Sequence, residues 1–128
     1  MGIDLRELRT VTASIAARSA AVTREGAAVV ARGALNIKND WRTRARVTAG
    51  AHARHYPNSI SYDVTEAPGV TVAEIGPDKH RPQGPLGNIL EFGTSTQAGH
   101  NDGGQALDAE EPLFQAQVDA LSERALSL

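Results

Sequence analysis

The sequence contains no cysteine, which excludes disulfides, thiolate metal sites and a cysteine nucleophile. Aromatic residues are scarce, with one Trp, two Tyr and two Phe among 128 residues. The apolar share of 41% therefore falls mainly on alanine, valine and other aliphatic side chains, which predicts a core closed by helix packing. No apolar run approaches the roughly 18 residues of a membrane span. The opening Met1-Gly2-Ile3-Asp4-Leu5-Arg6-Glu7 is charged where a secretory signal would be apolar. Arg6 also stands where a myristoylation signal requires Ser or Thr. The expectation is a soluble chain made in the cytoplasm and independent of membranes. Neither charge sign dominates: 13 Lys and Arg against 15 Asp and Glu leave a formal charge of −2, without the global basic footprint of a nucleic-acid binder.

The length suits one domain over residues 1–128. Leu5, Leu8, Val11, Ile15 and Val22 recur at helical spacing, with Asp4 and Glu7 in a capping-box relation. They predict a first helix near 4–20. A second stripe, Val30, Ala34, Ile37, Trp41 and Ala45, predicts a longer helix near 24–47 that carries Gly33 inside it. Pro57, Pro68, Pro77, Pro82 and Pro85 then exclude helices of any length. Ile60, Tyr62 and Val64 alternate with Ser61 and Asp63, and Val70 and Val72 alternate with Thr71 and Ala73. These two runs predict a hairpin through the turn residues Thr65–Gly69. Asn88–Phe92 reads as a third short strand. Gly76–Gly87 and Gly93–Asp108 read as loops, and a last helix is expected from Asp108, with Glu111 at capping-box spacing and Pro112 in its first turn. The fold class is α+β: N-terminal helices including one long one, a small antiparallel sheet of about three or four strands, and a C-terminal helix.

Chemistry-bearing clusters are few. His52 and His55 share a helical spacing, but two histidines make only part of a zinc or nickel site; the alternative is exposed imidazoles near a helix end. Gly99-His100-Asn101-Asp102-Gly103-Gly104 lacks the Gly-Lys-Ser/Thr ending of a phosphate-cradling loop, so a flexible loop is expected. A hydrolase built on His100 and Asp102 would rest on composition alone. Arg42, Arg44, Arg46 and Arg54 form the basic cluster. They read either as a phosphate-facing surface or as a solvated helix end, where cations are stabilised by the dipole. No metal or cofactor site is expected.

The most distinctive segment is Asn88-Ile89-Leu90-Glu91-Phe92-Gly93-Thr94, followed after a loop by Glu111-Pro112-Leu113-Phe114. It resembles the head–tail joining family of long-tailed bacteriophages, the neck or tail-completion proteins of HK97-type morphogenesis. In that family a Glu-Phe-Gly-Thr strand end leads through a variable loop into a C-terminal helix opened by Pro-Phe. His55-Tyr56-Pro57-Asn58-Ser59-Ile60 is similar to the segment that starts the family's first strand, and Ala73-Glu74-Ile75-Gly76-Pro77 to the strand that closes its hairpin. The long helix through Ile37 and Trp41 matches the opening architecture. The likeness spans the chain from about Val30 onward. It departs in lacking a Pro-x-x-Thr-Gly turn before Ser59-Ile60, and in Pro-Leu-Phe replacing Pro-Phe.

The resemblance implies a structural virion protein, not an enzyme, that forms a homo-oligomeric ring, six subunits by family analogy. Its neighbours would be head-completion and tail-tube proteins, with DNA passing through the lumen without sequence-specific binding. Glu91, Phe92, Gly93, Thr94, Arg42, Arg44, Arg46, Arg81, Pro112 and Phe114 are the candidate subunit contacts. Glu91 reads either as a solvent-facing strand residue or as an intersubunit partner of the Arg42–Arg46 cluster or Arg81. The alternatives are a tail terminator or other minor tail protein, or a small nucleic-acid or ligand binding module using the arginines. The two long loops are expected to order on assembly.

Overall fold

The computed structural model describes residues 11–16 and 20–126. A strand, β1 (Val11–Ala16), leads to a long helix, α1 (Ala20–Thr48). A single helical turn at Ala51–Ala53 and the four-residue α2 (Tyr56–Ser59) follow. The hairpin β2 (Ile60–Ala67) and β3 (Val70–Pro77) comes next. A turn at Gly84–Leu86 runs into the short α3 (Gly87–Phe92), and α4 (Asp102–Leu126) ends the described chain. The α+β class, the long helix and the C-terminal helix stand as expected.

The second sequence stripe is the spine of the core. Val30, Ala34, Trp41 and Ala45 are wholly buried on α1, with Ile37 only 3% exposed, because steps of three and four return to the same helical face. Against them pack Ile60 of β2, Ala73 and Ile75 of β3, Tyr56 of α2 and Ala106 of α4. Gly33 of α1 admits a close approach: it lies under the ring of Phe114, which would stand 3.0 Å from a Cβ there. With so few aromatics, Trp41 and Tyr56 supply the largest fully buried side chains.

The sheet order is β1-β3-β2, antiparallel throughout. The stretch between the long helices contributes two of these strands, without the third that was expected at Asn88–Phe92. Residues 67 and 70 pair across a two-residue turn, in which Gly69 takes φ 77° after Pro68, the position of a Pro-Gly turn that disfavours side chains. On β3 the buried parity is Thr71, Ala73 and Ile75, while Val70 is exposed. The expected pairing of Val70 with Val72 therefore gave way to the parity of Ile75, whose burial decides which face turns inward.

Three further expectations are corrected. Val11–Ala16 is a strand paired with β3, not part of a helix near 4–20; Val11, Ala13 and Ile15 fit period two as well as helical spacing, and β-branched residues favour the pleat. Leu5 and Leu8 lie outside the described residues. Asn88–Phe92 is helical: Pro85 opens the preceding turn with a preset φ, and Gly87 presses against Pro77 and Tyr56 where a Cβ would meet Pro77 Cγ at 2.5 Å. A short apolar run does not by itself separate strand from helix. Finally, α4 starts at Asp102, so Pro112 sits inside it rather than in its first turn.

Candidate functional site

The joint between α3 and α4 is built around Glu91. Its carboxylate is 3% exposed. One oxygen accepts the Gly103 N–H at 3.0 Å and the other the Gly104 N–H at 3.1 Å. The first turn of a helix has N–H groups without helical partners, and a carboxylate satisfies them while facing the positive end of the dipole. The residue is thus neither solvent-facing nor on a strand, and its carboxylate is taken up within the same chain. Burial, together with the charge of Asp102, raises the Glu91 pKa against the opposing pull of the Gly103 and Gly104 N–H groups. Asp102 is itself buried and accepts a hydrogen bond from Thr48 Oγ1 at 2.5 Å, tying the end of α1 to the start of α4.

Gly103 completes this joint by its missing side chain: a Cβ there would stand 2.7 Å from Trp41 Cη2 and Cζ2. The indole therefore rests directly on the helix backbone. The segment between α3 and α4 is held as closely. Gly93, at φ 81°, bridges Ala98; Thr94 N–H donates to Gln97 O at 2.8 Å, His100 N–H to Leu90 O at 2.9 Å and Asn101 N–H to Glu91 O at 3.0 Å. These bonds tie the segment to α3 within the single chain. Thr94 is exposed and its hydroxyl accepts from the Thr96 and Gln97 N–H groups, while Phe92 is half-buried.

The arginines do not act as one cluster. Arg42 donates from Nε to Ile60 O at 2.8 Å and from an Nη to Asn58 O at 3.4 Å. Arg81 reaches the same Asn58 carbonyl at 3.3 Å and lies 3.5 Å from Asp78 Oδ2. Arg44 points the other way, to Asp40 at 3.1 Å and Gln105 of α4 at 2.9 Å. Arg46 is exposed. Lys38, which sequence reasoning missed, stands with Arg42 and Arg81, its Nζ 5.6 Å from the centre of the Tyr62 ring. Partial burial and then the neighbouring Arg42 and Arg81 charges lower the Lys38 pKa; burial, Arg81 and Arg46 do the same to Arg42. These cations thus crowd one another beside β2.

Pro112 is exposed on α4, and Phe114 is half-buried against Gly33. An open groove of about 530 Å³ runs between α1 and α4, floored by Val29, Gly33, Leu113 and Phe114. At its edge Asn36 Nδ2 donates to Glu110 Oε1 at 2.8 Å. Trp41, Tyr56, Asp102 and Gly103 were not singled out for the joint; the Gly103-Gly104 pair beside an Asp was the available signal. Among the described residues no group of three or more His, Asp or Glu side chains is placed to hold a metal ion, and no helix is long and apolar enough to cross a membrane. Comparisons with protein-family models, with curated proteins and with solved structures find no match to this chain.

Proposed function

We propose that the protein is a structural component of the neck of a long-tailed phage, forming a homo-oligomeric ring that joins the DNA-filled head to the tail. One observation carries the reading. The two segments that bear the resemblance, Asn88–Thr94 and Glu111–Phe114, belong to one physical unit in which the side chain of Glu91 caps the helix that contains Pro112 and Phe114. The motif is therefore an architectural joint, which suits a protein whose work is to hold its shape in an assembly. It differs from the family pattern in two respects: Glu91-Phe92-Gly93 ends a helix rather than a strand, and the C-terminal helix opens before its proline.

In this reading the cations beside β2 and the exposed face of α4 are contact surfaces. The test is electron microscopy of lysates from a phage whose copy of the gene is disrupted. Filled heads lying beside normal-length free tails support a joining ring, and overlong tails a tail terminator. Intact infectious virions overturn the neck reading.

A second reading has its own observation, the convergence of Lys38, Arg42 and Arg81 with Tyr62 alongside. A nucleic-acid binding module would use such a patch on phosphates. It predicts duplex binding whose affinity falls steeply with salt, one counterion released for each phosphate neutralised.

A further inference from the structure

The charged side chains are distributed unequally around α1 and α4. At 100° per residue, the α1 positions fall into three sectors. Gly33, Asn36, Asp40 and Arg44 form the flank that α4 covers: Asn36 and Arg44 hydrogen-bond Glu110 and Gln105, and Gly33 meets Phe114. Val30, Ala34, Trp41 and Ala45 form the buried sector. Lys38, Arg42 and Arg46, four residues apart, form the third, about half a turn from the α4 flank, and Arg81 joins them from the loop after β3 through their shared carbonyl at Asn58. From Arg42 to Asn58 the chain has no carboxylate at all.

The outward face of α4 is the reverse. Its inward positions are Gly103, Ala106, Glu110 and Leu121, all buried. Opposite them stand Asp108, Asp119 and Glu123, all exposed, with Pro112 and Gln115 among them. The structure thus presents a cationic strip on one side of the molecule and a carboxylate strip on the far side of the helix covering the other. Arg46 and the α4 carboxylates are left to solvent by the single chain, while Arg42 also donates to Ile60 O and Asn58 O and Arg81 also pairs with Asp78.

We propose that these two strips meet between copies: the outward face of α4 in one subunit docks on the Lys38–Arg42–Arg46–Arg81 flank of the next. The occupant of the basic flank is a second copy of this chain, because the complementary charge lies on the same molecule and faces away from it. Unlike surfaces that meet in this way give a head-to-tail contact, which closes into a ring or propagates as a filament. Opposite potentials across such a contact steer association and exclude the reversed orientation. The inference rests on the ring reading above and gives it a specific interface. It also assigns the candidates Arg42, Arg46, Arg81 and Pro112 to that interface, and leaves Glu91 and Phe114 inside the subunit.

Sedimentation velocity on the purified full chain tests this at low and high salt, with Arg46→Glu, Asp108→Lys and their mixture. The expected result is an oligomer that weakens as salt rises and dissociates at least about tenfold more readily with either reversal. Mixing the two variants restores assembly, because each kind of junction again pairs opposite charges. That recovery is not available to variants that had merely unfolded, and both substituted residues are exposed; circular dichroism on each confirms the fold. An oligomer unchanged by either reversal overturns the interface while leaving the ring reading in place. A wild-type chain that is monomeric at every concentration and salt overturns both. Unchanged assembly together with loss of duplex DNA binding in Arg46→Glu overturns the proposal in favour of a phosphate-binding flank.

Discussion

Replacing Glu91 with alanine removes the cap of α4 and nothing else of comparable strength from its first turn. Two N–H groups, those of Gly103 and Gly104, lose acceptors at 3.0 and 3.1 Å. A buried donor left unpaired costs about 1–3 kcal/mol; the Gly103 bond is buried and carries the larger share, while the partly buried Gly104 N–H is able to recruit water. Relief from holding a carboxylate out of water offsets some of the loss. The net expectation is a destabilisation of about 2–4 kcal/mol, a large part of the stability of a small domain. With a urea m-value of about 2 kcal/mol/M, the unfolding midpoint moves down by roughly 1–2 M. Native-state amide exchange gives the residue-level check, since Gly103 and Gly104 should lose protection ahead of the middle of α1. A midpoint within about 0.3 M of wild type, or unchanged protection at the two glycines, refutes the assignment of Glu91 as the cap.

The same carboxyl sets a pH dependence. Its pKa is raised in the folded chain by burial and by Asp102, so between the ordinary carboxylate value and the raised one the native state binds more protons than the unfolded state. Stability from this group is fully present below the ordinary value and is lost as pH rises through the raised one; Glu91→Gln, followed by chemical denaturation across that interval, should flatten this fall. Gly103→Ala forces a Cβ to within 2.7 Å of the Trp41 ring and should cost about 1–3 kcal/mol despite the better helix propensity of alanine, read from thermal melts. A neutral Gly103→Ala contradicts the close indole contact. Tyr56→Phe should change stability by no more than about 1 kcal/mol in thermal melts, because the buried Tyr56 hydroxyl faces the Trp41 indole without a well-formed hydrogen bond; a larger loss shows that the two groups are bonded.

The spine of the fold was legible because one physical rule governs it. Val30, Ala34, Ile37, Trp41 and Ala45 are apolar at helical spacing and are the residues that become buried. The hairpin was legible for a similar reason, with Pro68-Gly69 at its turn. What the sequence concealed depends on partners distant along the chain. Glu91 reads as a strand residue until the backbone of Gly103 comes to meet it, and α4 reads as starting at Asp108 because its true cap belongs to a different helix. Val11, Ala13 and Ile15 satisfy two periodicities at once, and pairing with β3 selects the strand. Among the candidate contacts, Arg42 and Arg81 were named separately and share one carbonyl. Lys38 gave no local signal, since its role comes from which side of α1 the sheet occupies.

The rest of Trp41 on the backbone of Gly103 also gives the protein an internal optical reporter. The chain has a single tryptophan, and its indole is fully buried where α1, α2 and the start of α4 converge. Emission from that ring is therefore blue-shifted while α4 is docked and moves to the red when the joint opens, with no competing indole to dilute the change. Tyr56, packed in the same cluster, is close enough to pass excitation to it. Detachment of α4 can thus be followed in the unlabelled protein, and a red shift that precedes the loss of total helicity would show this helix leaving before the rest of the fold.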